Sequence, residues 1–400
     1  MMTPRERFNA VMDFKKPDKL PWAEWIWVEA ILRWLGTDID VSKLVRAKPG
    51  KPTYEYLVTV VKPLYIKDID LHSYFGCIDI RGLCDPIDKG PIPRFPIRRL
   101  ADTERYTEWR ADTGVVVRLS KKSPYTWYTM PMYLEWPVKD RRSWEEYKKR
   151  LDPHDIRRYP KDWDKATYRE MFKNYSEGPT RIIFNGFFGF GAQLMGLERF
   201  LTMFHKDPDF IHELACFWEF FTIEVFKPFL DACGEYVDST WWWEDMAENH
   251  GPFISPGIFE EFFLPHYKNV AKFFRQKGVK HIMVDSDGNI EPLLDLLIEA
   301  GIDCIWPLEV SANMDAARIR EKYGNKLALF GNLDKRKLRL GGETMKKEVD
   351  RGIAVAEEIR GYAPGCDHVI ADFTYTTFKE YADYIKSKLS YGESKLNKTP

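Results

Sequence analysis

Hydrophobic and polar positions along the 400-residue chain follow two different rhythms, which change near residue 180. Before that point, short apolar runs are separated by many prolines, and an amphipathic helix is predicted at the start. Thr3 can cap this helix, Pro4 suits its first turn, and Phe8, Val11 and Met12 would lie on one side. The N-terminal part therefore begins with a helix that has one apolar face to bury.

The remainder of the N-terminal part is predicted to hold short strands and a single further helix. The predicted elements are the strands Trp22–Trp27, Val115–Leu119 and Thr126–Met130 and a helix, Ser143–Leu151, that Ser143 would cap. Alternation along the first strand places Trp25 and Trp27 on one face. The two later strands are predicted to form a hairpin or small sheet.

After residue 180, strand-like and helix-like runs alternate regularly. The predicted strands are Arg181–Phe187, Tyr236–Trp243, Val279–Val284, Ile302–Trp306, Lys326–Phe330 and His368–Ala371. The predicted helices are Ala192–Phe204, Pro208–Asp231, one that begins after the cap Ser255, Ile290–Ala300, Met314–Tyr323, Gly342–Arg360 and Thr377–Leu389. This alternation is typical of βα units around a parallel sheet.

Six such strands, with one or two from the N-terminal part, predict an α/β fold of the (β/α)₈ TIM-barrel type with an N-terminal α+β extension. The alternative is a doubly wound sheet, which usually has a glycine-rich phosphate turn after its first strand. The segment Asn185–Gly191 is rich in glycine, but its spacing does not match GxGxxG. We expect an extension with the first barrel elements over residues 1–180, the main barrel units over 181–391 and a polar tail over 392–400.

Composition excludes several classes of protein. Hydrophobic residues make up 44% and charged residues 30% of the chain, which rules out a disordered protein, and the net charge of −1 gives no general attraction to nucleic acid or anionic membrane. Six cysteines occur without a CxxC pair, and no window approaches 18 uninterrupted apolar residues. We therefore expect a protein of the reducing cytoplasm, and we interpret the lysines of residues 386–398 as a solvated tail.

Polar side chains border every late predicted strand. They are Asn185, Glu244, Asp245, Asp285, Asp287, Glu309, Asn332, Asp334, Asp367, His368 and Asp372. A barrel places its active site at the C-terminal ends of its strands, so most of these side chains are expected on one rim. Asp367 and His368 open the last predicted strand and fit this expectation least. Asp287 has an alternative role as part of a turn and helix cap.

Several carboxylates that face one pocket repel each other unless some are protonated, a cation is present, or lysine or arginine neutralises them. Acids together with histidine can bind Zn²⁺ or another divalent ion, and Cys366 lies close enough to His368 in sequence to supply sulfur. The alternative for Cys366 is an inert loop cysteine. No HExxH, GxSxG, P-loop or kinase motif is present.

Tryptophans and phenylalanines cluster at the same predicted rim. Trp241, Trp242 and Trp243 precede Glu244, and alternation sends the first and third of them to one side and Trp242 to the other. One set must therefore face the barrel interior and the other the helix layer. With 14 tryptophans in the chain, some fill the core, but aromatic walls beside acids also suit a flat organic substrate.

Motifs spread along nearly the whole chain resemble those of the uroporphyrinogen decarboxylase superfamily, which also contains cobalamin-dependent methyltransferases. The segments that carry the resemblance are Thr3–Phe8, Lys16–Pro21, Glu244–Ala247, Ser255–Pro256, Leu264–Pro265, Asp285–Asn289, Pro307–Val310, Asn313–Asp315, Gly331–Lys335, Gly361–Pro364 and Asp367–His368. The resemblance implies a distorted (β/α)₈ barrel, in agreement with the predicted rhythm.

The resemblance is closest to the methyltransferase branch that demethylates aryl ethers. True decarboxylases resemble each other in an arginine-rich segment that grips the substrate carboxylates, whereas this chain has Trp22–Trp27 there, with one acid and three tryptophans. Methyltransferases of the superfamily typically carry a zinc-binding His-x-Cys where this chain has Asp285-Ser286-Asp287, so that any metal would have an oxygen-rich site.

The resemblance implies a methyltransferase that moves a methyl group from a small methoxylated or methylated molecule to a corrinoid carried by a partner protein. The alternatives are a decarboxylase-like carboxy-lyase and a non-catalytic tetrapyrrole- or corrinoid-binding barrel. Neither nucleic acid nor membrane is an expected partner, and the chain would be a monomer or a homodimer. We expect catalytic roles for Glu244, Asp285, Asp287 and His368, substrate contacts from Trp25, Asn185, Phe187, Trp241, Trp243 and Asn332, and ligation of zinc or another divalent metal by Asp285, Asp287, Glu309 and Cys366.

Overall fold

The fold is described from a computed structural model, in which residues 1–27, 30, 34, 71–121 and 131–390 are described. The predicted strand Thr126–Met130 and the polar tail 392–400 lie outside these residues. Among the described helices, none is long and apolar enough to cross a membrane.

Parallel strands form the centre of the molecule. The strands are β1 Ala23–Glu24, β2 Ile78–Asp79, β3 Leu83–Cys84, β4 Arg98–Asp102, β5 Tyr106–Arg110, β6 Val116–Ser120, β7 Met132–Glu135, β8 Thr180–Asn185, β9 Ser239–Trp243, β10 Ala247–Glu248, β11 Gly251–Pro252, β12 Met283–Asp285, β13 Cys304–Trp306, β14 Ala328–Leu333 and β15 Tyr362–Cys366. A seven-stranded parallel sheet has the order β15-β14-β13-β12-β9-β8-β3. Five of its six strands from β8 onward overlap strands predicted after residue 180, and β15 lies before the predicted strand His368–Ala371.

The sheet closes into a barrel through β1 and β2. β1 pairs in parallel with β2, Ile26 forms a parallel bridge with Ile370 just beyond β15, and β3 pairs in parallel with β8. The segment from Ile78 to Cys84 thus contributes one interrupted strand between β1 and β8, which brings the barrel to eight strands. The (β/α)₈ architecture predicted from the sequence is confirmed.

Helices surround the barrel. They are α1 Pro4–Met12, α2 Leu71–Phe75, α3 Arg141–Lys148, α4 Lys165–Asn174, α5 Phe187–Met195, α6 Leu197–Lys206, α7 Pro208–Cys233, α8 Pro256–Phe262, α9 Leu264–Gln276, α10 Leu294–Glu299, α11 Ala316–Tyr323, α12 Lys335–Leu338, α13 Gly342–Glu358 and α14 Tyr375–Lys388. Their buried faces pack on the outward side chains of the strands in one large hydrophobic core.

A second hydrophobic cluster fills the barrel interior and is covered by α1. Phe8 of α1 stacks on Phe330 with ring centroids 5.0 Å apart, and Val11 and Met12 of the same predicted apolar face are buried beside it. The guanidinium carbon of Arg181 lies 5.0 Å from the Phe8 ring and 5.1 Å from the Trp241 ring. Burial lowers the pKa of this arginine to about 10.

The N-terminal extension includes a four-stranded antiparallel sheet in the order β4-β5-β6-β7. Its β6 corresponds to the predicted strand Val115–Leu119. The following helix α3 begins at Arg141 with Asp140 as its cap, and Ser143 is the third helical residue of the same capping box rather than the cap itself. The extension connects to the barrel through α4 and β8.

The structure corrects three element predictions. Strand β8 ends at Asn185 and α5 begins at Phe187, so Phe187 is helical rather than the last residue of the predicted strand Arg181–Phe187. Helices α5 and α6 are separate because Gly196 between them has a φ of 79°. The last barrel strand is Tyr362–Cys366 rather than His368–Ala371, so Asp367 and His368 follow a strand end instead of opening a strand.

Candidate functional site

The carboxyl ends of the parallel strands bring the predicted acidic residues to one mouth of the barrel. Asp285 and Trp243 are adjacent partners in the pairing of β12 with β9, and Asp285 is also paired with Trp306 of β13. Asp287 and His368 each lie two residues beyond the end of a strand. The mouth therefore combines carboxylates, an imidazole and indoles from consecutive strands.

Asp287, Glu309 and His368 form the closest cluster in the mouth. One ligand atom from each lies within 4.8 Å of the others, and His368 Nε2 is 2.9 Å from Asp287 Oδ2. Burial works to lower the pKa of His368, but the hydrogen bond and the charge of Asp287 outweigh it, so the pKa is raised above its ordinary value. A protonated imidazole in contact with a carboxylate is thus favoured in this cluster.

Lys335 neutralises the third member of this cluster. Its Nζ donates to Glu309 Oε1 at 3.1 Å, while Glu309 Oε2 accepts the backbone N–H of Gly288 at 2.8 Å. Burial works to lower the pKa of Lys335, yet the charge and hydrogen bond of Glu309 raise it overall. The Lys335 ammonium is consequently held in its charged form beside the cluster of Asp287, Glu309 and His368.

Asp367 holds together the loops that carry these side chains. It is fully buried, and its two carboxylate oxygens accept the backbone N–H groups of Val310 and Lys335, each at 2.9 Å. Burial raises its pKa to about 6 against these donors. Asp367 therefore fixes the loop after β13 to the loop after β14 and acts as a positioning residue.

Two further carboxyl groups line the mouth with raised pKa values. Burial among protein atoms and the neighbouring Asp287 raise the pKa of Asp245 to about 6, although its side chain still reaches solvent. Burial, followed by the charges of Asp245 and Asp287, raises the pKa of Asp285 well above its ordinary value. Repulsion among these carboxylates is thus relieved partly by protonation and partly by Lys335, two of the possibilities that the sequence left open.

Four tryptophans form one side of the mouth. Trp25 meets Trp241 at 5.7 Å and Trp243 at 6.3 Å between ring centroids, both nearly perpendicular, and Trp306 contacts Trp25 at 5.9 Å. Trp241 donates from Nε1 to Asp285 Oδ2 at 2.6 Å, and Trp243 donates to Asp245 Oδ2 at 2.9 Å. Trp241 and Trp306 are buried, whereas 36% of Trp243 is exposed, so Trp243 presents the accessible indole.

Trp242 points the opposite way, as strand alternation requires. Its ring stacks on Tyr267 of α9 with centroids 4.4 Å apart. Phe187 lies in the same outer layer, against Trp242 and Tyr267, and is only 3% exposed. The expectation that Phe187 lines the mouth was therefore wrong, because β8 ends at Asn185 and the chain has already turned into α5.

Glu244 also lies outside the acidic cluster. It is fully buried, its carboxylate accepts the N–H groups of Phe187 and Gly189 at 2.9 Å each, and the hydroxyl of Tyr267 donates to it. Burial raises its pKa to about 7 despite these three donors. Its contacts are those of a residue that binds the N-terminus of α5, which corrects its expected catalytic position.

The side chains of Asn332 and Asp334 form hydrogen bonds with neighbouring loops and a helix end and do not face the mouth. Asn332 has a φ of 65° and donates from Nδ2 to the carbonyls of Leu308 and Met314. Asp334 caps α12 and pairs with Arg336 at 2.8 Å. The expected substrate contact from Asn332 is thus corrected, since its amide is fully used in joining loops.

Cys366 and Asn185 differ in solvent exposure. Cys366 is 2% exposed at the end of β15, burial raises its pKa well above the ordinary value, and its thiol is not among the clustered ligand atoms. Its expected role as a metal ligand is therefore corrected, and Asp285 is likewise absent from that cluster. Asn185 remains partly exposed, with its side-chain amide donating to Gln193 Oε1 at 2.8 Å.

Three residues of the site were missed by sequence reasoning. Lys335 follows the Asp334 that was noted, Trp306 ends a strand that was predicted, and Tyr133 belongs to the extension. Partial burial and the charge of Asp245 raise the pKa of Tyr133, although 45% of the residue is exposed. An aromatic residue at a strand end was a usable signal for Trp306, but no sequence pattern connects Tyr133 to the barrel.

The donors of Asp287, Glu309 and His368 fit a divalent metal. Two carboxylate oxygens and one imidazole nitrogen are the ligand types and number found in open catalytic zinc sites. Binding would replace the hydrogen bond between His368 and Asp287, and Lys335 would compete for Glu309. The site is rich in oxygen ligands, as the sequence predicts. Its ligand set differs from the predicted one, because it contains His368 and lacks Asp285 and Cys366.

Known proteins were compared with this fold and site. Residues 183–377 match the model of the uroporphyrinogen decarboxylase (URO-D) family. A methyltransferase from Methanosarcina mazei has a similar structure, with a TM-score of 0.59 and 15% identity over 97% of this chain and 99% of that chain. A B12-independent methionine synthase from Shewanella sp. W3-18-1 gives a TM-score of 0.37 and 12% identity over 58% of this chain and 67% of that chain. No curated protein sequence matches significantly.

The family match runs from within β8 to the first turn of α14, and it includes every strand end that supplies the acidic cluster. The structural similarity to the Methanosarcina mazei methyltransferase covers 97% of this chain, so the similarity in fold also includes the N-terminal extension and β1. Residues 183–377 therefore carry a uroporphyrinogen decarboxylase (URO-D) family domain, and the chain as a whole shares the fold of the methyltransferase from Methanosarcina mazei.

Proposed function

We propose that the chain is a methyltransferase that takes a methyl group from a small methylated or methoxylated organic molecule and passes it to a corrinoid on a partner protein. The observation that carries this proposal is the pairing of an accessible indole, Trp243, with the acid and imidazole cluster of Asp245, Asp287 and His368 in one mouth. Such a site suits a small, mainly apolar molecule with one polar atom.

The acidic groups of the mouth could assist methyl transfer from an ether oxygen by stabilising the leaving group. An aryl ether that loses its methyl group leaves a phenolate, which needs a proton or a Lewis acid. The raised pKa of the His368 imidazole, which Asp287 causes, supports a proton donor at the leaving atom. A divalent ion held by Asp287, Glu309 and His368 would supply Lewis-acid chemistry when bound.

Decarboxylation of a porphyrinogen is the alternative within the superfamily, and the charges of the mouth oppose it. A substrate with many carboxylates needs several free cations, whereas the lysine that contacts the cluster and the arginine that contacts Trp25 are already paired. Lys335 pairs with Glu309 at 3.1 Å, and Arg81 pairs with Asp79 at 3.4 Å. The remaining groups of the mouth are mainly acids, which repel such a substrate.

The proposal is tested with the full chain, a chemically reduced corrinoid and a panel of methoxyarenes and methylated amines. We expect a change in the corrinoid absorbance that depends on one class of donor and that falls at least tenfold in Asp287→Asn. Glu291→Gln, which removes an acid paired with Arg318 outside the cluster, is the matched control and should retain the activity.

Two results would contradict the proposal. Formation of coproporphyrinogen from uroporphyrinogen would establish the decarboxylase instead. Corrinoid binding without methyl transfer from any donor would favour the non-catalytic binding barrel.

A further inference from the structure

The carboxylates around the mouth differ in whether a cation of the protein already faces them. Asp287 contacts His368 at 2.9 Å, and Glu309 contacts Lys335 at 3.1 Å. Asp285 is 3% exposed and accepts a hydrogen bond from Trp241. Among the described residues, Asp245 is the mouth carboxylate that is exposed and that forms no ion pair with any lysine, arginine or histidine. The charge of His368 acts on Asp245 without forming an ion pair with it, so the carboxylate is available to a cation from outside.

The group beside Asp245 is an accessible indole. Trp243 Nε1 donates to Asp245 Oδ2 at 2.9 Å, so the carboxylate lies at the edge of the ring while 36% of the residue is exposed. Trp25 stands at 78° to Trp243, with centroids 6.3 Å apart. Two perpendicular indoles and one carboxylate therefore border the same space.

Aromatic rings in this wall already contact cations of the protein itself. The guanidinium carbon of Arg81 lies 5.0 Å from the centroid of Trp25, and that of Arg181 lies 5.1 Å from the centroid of Trp241. The charge of Arg81 is balanced by Asp79. Trp243, by contrast, contacts no cation among the described residues, and its face is the one left for a ligand.

Asp245 is held in place by the backbone around it. Its φ of 45° lies in the left-handed region, and the loop is fixed on both sides because Glu244 N–H donates to the carbonyl of Asp285 and Met246 N–H donates to Ser286 Oγ. A non-glycine residue in this region is uncommon and is often found at functional sites. The carboxylate is therefore presented to the mouth in a fixed position.

We propose that the methyl donor is a methylated ammonium cation, bound with its methyl groups on Trp243 and Trp25 and its charge beside Asp245. This inference rests on the proposed function. Indole faces attract quaternary ammonium groups, and a quaternary nitrogen has no N–H that needs a hydrogen-bond acceptor. A neutral methoxyarene would use the indoles but would leave the unpaired Asp245 without a role.

The chemistry balances without a proton donor. The C–N bond breaks, the methyl carbon bonds to the reduced corrinoid nucleophile, and the electron pair of the broken bond stays on nitrogen as a neutral amine. The positive charge leaves the nitrogen during transfer, so Asp245 serves binding rather than acid catalysis. Asp245 is not a member of the Asp287–Glu309–His368 cluster, although the charges of Asp287 and His368 act on it, so the proposed cation site borders the candidate metal site.

The test compares two ligands of equal shape by calorimetry and tryptophan fluorescence on the full chain. Choline carries the ammonium, and 3,3-dimethylbutan-1-ol has carbon in place of nitrogen. We expect choline to bind at least tenfold more tightly. Asp245→Asn should remove most of this preference, since asparagine tolerates the same φ and can still accept from Trp243. Trp243→Leu should weaken choline binding several-fold.

Two variants control for nonspecific effects. Asp162→Asn removes an exposed acid, and Trp163→Phe changes an indole packed on Phe229 in the outer layer, so neither should alter the preference. Equal binding of the two ligands, or an unchanged preference in Asp245→Asn, would overturn the inference. Loss of zinc affinity in Asp245→Asn equal to that in Glu309→Gln would also overturn it, because Asp245 would then be a metal ligand.

Activity separates this inference from the proposed function. Methyl transfer from methoxyarenes with none from quaternary ammonium donors would overturn the inference and support the methyltransferase. Selective ammonium binding with no transfer from any donor would overturn the methyltransferase and support the cation site alone.

Discussion

His368 Nε2 lies 2.9 Å from Asp287 Oδ2, although 81 residues separate the two in the chain. The contact joins the loop after β15 to the loop after β12, on opposite sides of β13 and β14 in the sheet. An imidazole and a carboxylate brought together in this way can share a proton or bind one metal ion.

The first prediction concerns the charge of His368. Asp287→Asn removes the carboxylate that raises the pKa of His368, while burial continues to lower it, so the pKa should fall. Titration of the imidazole by NMR in chelator-treated protein measures the change. Asp162→Asn should leave the titration unchanged. A pKa for His368 that is equal in Asp287→Asn and the unmodified protein would contradict the contact.

The second prediction concerns metal binding. Glu309→Gln keeps an oxygen for the N–H of Gly288 but removes a charged ligand from the cluster, so zinc affinity should fall roughly 10- to 100-fold. Calorimetry with Zn²⁺ alone measures this affinity, and Glu291→Gln is the control with an equal loss of charge. Equal affinities in all three proteins would place the metal elsewhere.

The third prediction concerns the buried Glu24, whose carboxylate accepts hydrogen bonds from Trp22 Nε1 and the hydroxyl of Tyr381, each at 2.6 Å. Burial raises its pKa from 4.5 to about 7. A raised pKa in the folded state gives stabilisation that is complete below pH 4.5 and is lost as the pH rises through 7. Relative to Glu24→Gln, the free energy of unfolding should fall by roughly 3 kcal/mol over this range.

Urea denaturation at a series of pH values measures this difference. Glutamine retains an oxygen for the donors of Trp22 and Tyr381, so the variant should fold. Glu261→Gln, an exposed change on α8, should give a curve parallel to that of the unmodified protein. A parallel curve for Glu24→Gln as well would show that Glu24 does not titrate in this range.

The fourth prediction concerns the close contact between Gly186 and Glu244. A Cβ at Gly186 would lie 1.7 Å from Glu244 Oε1 and 2.4 Å from Trp242 Nε1, so Gly186→Ala must displace the buried carboxylate. We expect destabilisation of roughly 1 to 3 kcal/mol. Gly257→Ala, whose Cβ would meet Ser255 Oγ at 3.9 Å, should be neutral or slightly stabilising. Thermal unfolding distinguishes the two, and equal midpoints would contradict the packing.

The regular strand and helix alternation after residue 180 was predictable because each element carries its own periodicity. The strand β15 was not, since Tyr362–Cys366 contains proline and glycine, which are poor strand formers. It is a strand because it pairs with β14 over five residues and because Gly365 allows the backbone of Ala23 to approach. Strand β1 lies inside the predicted strand Trp22–Trp27, whereas β2 has only two residues, too few for a pattern to detect.

The sequence by itself determined the barrel fold and the arrival of acids at one rim, because the carboxyl ends of parallel strands must meet at the same edge. It also determined that Trp241 and Trp243 share a side opposite Trp242. Only the tertiary structure decided which rim residues face the mouth. Glu244 turns to the N-terminus of α5, whereas His368 reaches Asp287, and both outcomes depend on loop paths and partners distant in the chain, which no local pattern encodes.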